Sequence, residues 1–209
     1  MTGWLALLAF YVLFRPSGSG DITTIHSLYT TRFDKIFKEY GRGIPVPYLR
    51  ALCKNESDFN PNNQEGPAWG LMQVVEVVRE SYNKRFKTSY VREDLLNPII
   101  NVKIASELIA RIADTLPKNH PSVLTKNWSD PNFVSIVTFG WNAGYSEAAG
   151  VGYVLGNMTE RATLDRVYRR ALELPRAAKT LKMADKVTWC KKVTTNYFEQ
   201  ITRTVPFVG

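Results

Sequence analysis

The fold of this chain is decided by residues 47–73, PYLRALCKNESDFNPNNQEGPAWGLMQ. The first half of the stretch predicts a helix. Leu49, Leu52, Cys53 and Glu56 recur at spacings of three and four and so share one face. Three of them are apolar and the fourth is a carboxylic acid. An acid that closes an apolar stripe points where charge is poorly solvated, and desolvation favours its neutral form. A carboxyl that stays neutral near physiological pH is what a general acid requires. Taken alone, the helix equally admits a Glu at a frayed end that reaches water. Pro45 and Pro47 suit the helix entrance. Asn60-Pro61 suits its end, because proline disfavours helical geometry for the residue before it. The polar segment 60–68 reads as a loop. Trp69 to Gln73 is apolar and interrupted by glycine: a short strand, or the start of a helix running through Val74–Phe86.

Upstream, Ile22, Ile25, Tyr29, Phe33, Ile36, Phe37 and Tyr40 keep helical spacing, with Asp21 as N-cap and Gly41 as C-cap. Further upstream, Trp4 to Phe14 is an unbroken apolar run. It would span about 17 Å as a helix, against about 30 Å for a bilayer core. That length suits a signal-peptide core or a membrane-inserted anchor, although no Lys or Arg precedes it. The linker PSGSG follows at 16–20. The expected organisation is therefore an anchor or signal segment at 1–15, a flexible linker at 16–20 and one domain over 21–209.

Downstream, Ala105, Leu108, Ile109, Ile112, Ala113 and Leu116 mark an amphipathic helix that Pro117 should end. The loop 117–129 holds His120, read as a surface histidine. Asp130-Pro131 reads as an N-cap followed by proline at the first helical position. The helix it opens carries Phe133, Ile136, Val137, Gly140 and Trp141 and closes on WNAGY at 141–145. Segment 146–158 reads as a Gly-rich apolar loop. Two more helices are expected, at about 159–173 and 184–203. Strand signals are sparse. The fold class is mainly α, with six to eight helices and at most a small β-element near 60–73.

The 209 residues suit one domain with a sizeable core and a short appendage. Net charge is +8, and between Arg161 and Lys192 ten Lys/Arg stand against three acids. This basic third is either a set of solvated helix faces or a surface that attracts a polyanion, such as nucleic acid, anionic lipid or an acidic wall polymer. Nucleic acid is the weakest of these, because no recognition motif accompanies the charge. Cys53 and Cys190 lie too far apart for a local CxxC, and two histidines do not make a zinc site. The cysteines read as two buried thiols or as one disulfide outside the cytoplasm. There is no G-x-S-x-G, no phosphate-binding Gly-rich loop and no Ser-His-Asp candidate. What remains is one acid, with aromatic faces at Trp69, Trp141 and Tyr145 and amides at Gln73 and Asn142. Aromatic faces with amide donors and acceptors are what sugar rings require.

These pieces occur in a recognisable order: Glu-Ser at 56–57, Gly-Leu-Met-Gln at 70–73, Asn-Pro-Ile-Ile-Asn at 97–101 and Trp-Asn-Ala-Gly at 141–144. The set resembles the lytic transglycosylases of the soluble-lytic-transglycosylase type and, more distantly, the goose-type lysozymes. The resemblance covers about residues 28–200. It implies an α+β, lysozyme-like fold with helices around a glycan cleft. It implies Glu56 as the sole catalytic acid/base. It implies that Ser57, Gly70, Leu71, Met72, Gln73, Asn101 and Asn142, together with Trp69, Trp141 and Tyr145, bind the glycan. One departure stands out. The family usually carries Ala-Tyr before Asn-Ala-Gly, with the Tyr hydroxyl near the catalytic Glu, and here the pair is Gly140-Trp141. Indole donates a hydrogen bond but cannot accept one. The expectation is an altered contact and an apolar neighbour that raises the pKa of Glu56 further.

The implied reaction is cleavage of the β-1,4 bond between N-acetylmuramic acid and N-acetylglucosamine in peptidoglycan. A 1,6-anhydro ring forms, and neither metal nor cofactor takes part. Two other readings stay open. A hydrolysing muramidase wants a second carboxylate; goose-type lysozymes carry an Asp two residues after Gly-Leu-Met-Gln, where this chain has Val75, with Glu65 and Glu76 nearby. A non-catalytic wall-binding or scaffold module is the other. The expected partner is the peptidoglycan strand, met by a monomer, with no nucleic acid. The expected place is the cell envelope, periplasmic or extracellular face, with residues 4–14 as attachment. A virion-associated or phage-encoded lysin fits the same features. The positive residues after the apolar run would by themselves hold the rest of the chain in the cytoplasm, opposite to that location.

Overall fold

A computed structural model describes residues 30–177 and 184–203. The chain divides into two compact units, Met1–Thr31 and Arg32–Gly209. The second holds all the elements described here. The expected anchor, the linker, the Asp21 cap and the start of the first helix lie outside the described residues. Among the described residues no helix is long and apolar enough to cross a membrane.

The elements run α1 (Asp34–Tyr40), α2 (Val46–Ser57), β1 (Gln64–Glu65), β2 (Ala68–Trp69), β3 (Val74–Val75), α3 (Glu76–Phe86), α4 (Pro98–Asn119), α5 (Pro131–Ala143), α6 (Val151–Leu155), α7 (Leu164–Glu173) and α8 (Ala184–Arg203). A 3-10 turn, Glu93–Leu96, precedes α4. The fold is mainly α with one small sheet, as the periodicity predicts.

Helix α2 is the buried hub. Tyr48, Leu49, Ala51, Leu52 and Cys53 are fully buried, each large apolar side chain contributing about 1.5–3 kcal/mol. It packs against α8, which also packs against α5. Buried polar bonds fix this arrangement: Tyr48 Oη with Thr138 Oγ1 at 3.0 Å, Ser135 Oγ with Thr194 Oγ1 at 3.0 Å, and Gln200 Nε2 to the Pro47 carbonyl at 3.0 Å. Cys53 and Cys190 are both free and buried, and burial raises the pKa of both thiols. The long α4 carries its apolar stripe against α5 and the flanking α1 and α3. Asn97 caps it by accepting from the Ile99 amide at 2.9 Å, and Asp130 caps α5 by accepting from the Asn132 amide at 3.0 Å.

Several boundaries differ from expectation. The sheet extends past Gln73: β2 pairs with β1 (Gln64 with Trp69) and with β3 (Trp69 with Val74), all antiparallel. Val74 and Val75 are β-branched and fit a pleated edge, so the next helix waits until Glu76, whose acid suits a helix start. Helix α2 ends before Asn60-Pro61, because Asp58 and Phe59 adopt left-handed geometry at φ 51° and 62°. Pro117 does not end α4; it sits in the last turn, where only one backbone bond is lost, and the helix runs to Asn119. Within the expected loop 146–158 the buried Val151, Val154 and Leu155 form α6. Helix α7 starts at Leu164, where Thr163 caps it. Gly41 closes α1 with φ of −78°, outside the left-handed region. Glycine is required there because a Cβ would collide with the Phe37 carbonyl and Leu49 Cδ1. His120 is not a plain surface histidine: its Nε2 lies 2.9 Å from Glu147 Oε2.

Candidate active site

Helix α2 delivers Glu56 one residue before its end, and the left-handed turn at Asp58 and Phe59 reverses the chain. The returning segment is tied back to the helix. Ser57 Oγ donates to the Leu71 carbonyl at 2.7 Å. Asn101, fully buried on α4, clamps the same segment from the other side. Its Nδ2 donates to the carbonyls of Trp69 (2.9 Å) and Leu95 (2.8 Å), and its Oδ1 accepts from the Met72 amide at 2.8 Å. Gly70 sits against this clamp at φ +80°, where a Cβ would collide with the Leu95 carbonyl and the Asn101 amide. Gln73, in left-handed geometry at φ 49°, closes the turn; its Nε2 donates to the Gly70 carbonyl at 2.9 Å.

The result is a cleft of about 440 Å³ lined by Asn55, Glu56, Ala68, Gln73, Val75, Val78, Leu108, Trp141 and Asn142. Glu56 is the single carboxylate on its wall among the described side chains. Burial pushes its pKa up to about 7, against an ordinary value of 4.5. The indole of Trp141 donates to Glu56 Oε1 at 2.7 Å, and that bond acts the other way, lowering the pKa. The altered contact expected at Trp141 is this bond: burial sets the rise, and the indole N–H favours the charged form.

Of the residues expected to bind glycan, Glu56, Gln73, Trp141 and Asn142 line this cleft. The others stand elsewhere. Ser57, Gly70, Leu71, Met72 and Asn101 are buried, and their contacts are to the protein; they hold the wall in place. Trp69 is half-buried under Arg92, whose guanidinium lies 4.3 Å from the ring centroid, so that face is already covered. Tyr145 faces Arg111 at 6.0 Å. Sequence reasoning missed Asn55, Ala68, Val75, Val78 and Leu108. Leu108 carried a signal as the edge of the α4 apolar stripe; Asn55 carried none beyond its place beside Glu56. The basic third is partly neutralised, with Arg161 on Asp130, Arg166 on Glu160, Arg170 on Glu173 and Lys191 on Asp165. Lys186 reaches the cleft rim, its Nζ 3.3 Å from the Asn142 carbonyl.

A helical domain with a buried carboxyl group in a cleft lined by an indole and amides defines a class, that of lysozyme-like domains. A family model described as "Transglycosylase SLT domain" matches residues 35–146, which include every residue lining the cleft. The chain belongs to this family. Its fold is shared with the 70-kDa soluble lytic transglycosylase of Escherichia coli at 19% identity and a TM-score of 0.53, over 85% of this chain and 26% of that one. A complex of the 70-kDa soluble lytic transglycosylase with bulgecin A gives a TM-score of 0.56 at 19% identity, over 85% and 26% of the two chains. The inactive Glu-to-Gln mutant of lytic transglycosylase Slt from Pseudomonas aeruginosa gives 0.54 at 14% identity, over 98% and 31%. The chain therefore spans about a quarter to a third of these proteins' lengths. No curated protein sequence matches it.

Proposed function

We propose that this chain is a peptidoglycan lytic transglycosylase that cleaves the β-1,4 bond between N-acetylmuramic acid and N-acetylglucosamine, with Glu56 as its single acid/base. The observation that carries this is the carboxyl group of Glu56 on the cleft wall, alone there among the described side chains, poised near neutrality and with no cation bonded to it among the described residues. Protonated Glu56 donates to the glycosidic oxygen as the bond to the anomeric carbon breaks. The C6 hydroxyl of the muramoyl ring then attacks that carbon, and the Glu56 carboxylate takes its proton. The enzyme is regenerated, the product is a 1,6-anhydro sugar and no water is consumed. One carboxylate therefore suffices where ordinary glycosidases use two. Val75 lines the cleft at the position where a hydrolysing relative would carry an Asp, which favours the internal hydroxyl over water. The inactivity of the Pseudomonas aeruginosa Glu-to-Gln mutant fits the same chemistry. The site of action is the cell envelope, with the glycan strand as partner.

Mass spectrometry of muropeptides released by the full chain tests the reaction. Anhydro products are expected; products one water heavier overturn the transglycosylase reading in favour of hydrolysis. A peptidoglycan zymogram of the wild type and Glu56→Gln tests the catalyst. Equal clearing by both, or none by either, overturns the assignment and favours a binding module.

A further inference from the structure

We infer that Trp141 is a positioning residue that decides which oxygen of Glu56 carries the transferable proton, keeping Oε1 as a permanent acceptor and reserving Oε2 for the substrate. The inference rests on the assignment of Glu56 as acid/base made above. An indole N–H is a donor with no lone pair to offer. It can only bond an oxygen that accepts, and it lies 2.7 Å from Oε1. In a neutral carboxyl the good acceptor is the carbonyl oxygen, so the hydroxyl proton belongs on Oε2. A tyrosine hydroxyl at the same place could turn round and accept, and would leave both proton placements open.

Oε2 accepts no hydrogen bond among the described residues, yet it is not among the buried, partnerless side-chain atoms; it opens on the cleft that Glu56 and Trp141 both line. The proton that leaves Oε2 for the glycosidic oxygen is replaced there by the proton of the C6 hydroxyl. The same atom thus gives and receives, and Oε1 keeps its bond to the indole throughout. The backbone holds the indole where this requires. Gly140 lets α5 approach α4 closely; a Cβ there would stand 2.9 Å from Ile112 Cγ2 and 3.3 Å from Tyr145 Cβ.

Other ionisable groups near Glu56 do not confuse a pH measurement around neutrality. On α2 these are Tyr48 and Cys53, and on α8 Cys190, all with pKa values raised above their ordinary values by burial. Lys186 on α8 supplies a cation near Cys190. The sheet, α3 and α4 contribute Ala68, Gln73, Val75, Val78 and Leu108 to the cleft wall, and none of these titrates.

The test compares the full-chain wild type with Trp141→Phe and Trp141→Tyr, using Glu56→Gln as control. A hydrogen bond to a charged acceptor is worth about tenfold or more. Trp141→Phe should therefore lower kcat by about tenfold or more and move the basic limb of the pH-rate profile up by about one unit. The shift is upward because the bond that favours the carboxylate has been removed. Trp141→Tyr, which restores a donor, should recover part of the turnover and bring the limb back down. A loss of kcat in Trp141→Phe with an unmoved limb indicates a merely structural role and overturns the inference. So does a tyrosine variant no better than phenylalanine. A reading without turnover is the indole N–H proton resonance of Trp141. It should follow one titration near neutrality that Glu56→Gln abolishes, and a pH-independent resonance in the wild type overturns the inference. An inactive wild type, or a fully active Glu56→Gln, would instead sink the underlying assignment of Glu56.

Discussion

Glu56 and Glu107 are both helical glutamates withdrawn from water, and their surroundings make them opposites. Glu107, on α4, is only 4% exposed and lies between two guanidinium groups. Arg85 Nε is 3.3 Å from its Oε1 and Arg42 Nη2 is 3.1 Å from its Oε2. The second contact is an ion pair without hydrogen-bond geometry, since Oε2 has no hydrogen-bond partner. Among the described residues, Glu56 has no cation bonded to it. Its one hydrogen-bond partner among the described residues is a neutral indole N–H, and burial raises its pKa to about 7. A buried carboxylate beside arginines is an anion that ties elements together. One whose only bonded partner is a neutral donor is a proton reservoir. The difference lies in what the rest of the fold brings to the carboxylate, and both carboxylates sit on helices.

The largest way to break this comparison is Glu56→Gln, which should lower glycan cleavage by about 10²–10⁴-fold, measured by release of soluble muropeptides. The same substitution should raise stability at alkaline pH. Glu56 has a folded pKa of about 7, above its ordinary 4.5. The folded state therefore binds the proton more tightly, and the wild type loses stability as pH rises between those values. Above pH 7 the gain from Glu56→Gln should be on the order of 1–3 kcal/mol, and below about pH 4.5 it should vanish. Thermal melts of both proteins at pH 4 and pH 8 measure it; an equal difference at both pH values would contradict it.

Glu107→Ala attacks the other member of the pair. It should destabilise the fold by about 1–2 kcal/mol, because Arg42 and Arg85 lose their partner while remaining about half exposed (52% and 53%). Urea unfolding reads this, and the pH-rate profile should not move. The smallest effect, and the most direct exchange of the two environments, is Leu108→Arg. It sets a guanidinium on the cleft wall beside Glu56. A nearby cation favours the carboxylate, so the basic limb of activity should move down by about one unit, a loss of about fivefold at pH 7 and about tenfold at higher pH that recovers at lower pH. A uniform loss at all pH values would show a steric effect.

Much of the helical architecture was legible because helix periodicity is local. The spacing of Leu49, Leu52, Cys53 and Glu56 predicts the buried face of α2. Asp130-Pro131 marks the start of α5, and the helix expected at about 184–203 spans Ala184–Arg203. Boundaries were less legible, since Val74 and Val75 carry apolar signals that a strand and a helix share until their pairing with β2 is known. Within the candidate site, the ordered set of short segments located the neighbourhood but not which side chains face the cleft. Ser57, Leu71, Met72 and Asn101 look like wall residues in sequence and are struts in the fold, because backbone amides and carbonyls of the returning turn need partners away from water. Val78 and Leu108 look like core and form wall.

By itself, then, the sequence determined a helix that ends on an acid at the edge of an apolar stripe, since residues three and four apart must share a face. It also determined that Gly-Leu-Met-Gln follows that helix within one short loop. Only the tertiary structure decided what the acid meets. Trp141 lies 85 residues from Glu56 along the chain, and its indole reaches Oε1 because α2, α5 and α8 pack around a common core. A carboxyl's charge state depends on burial and on the nearest donors and cations, and those are set by packing between elements distant in sequence.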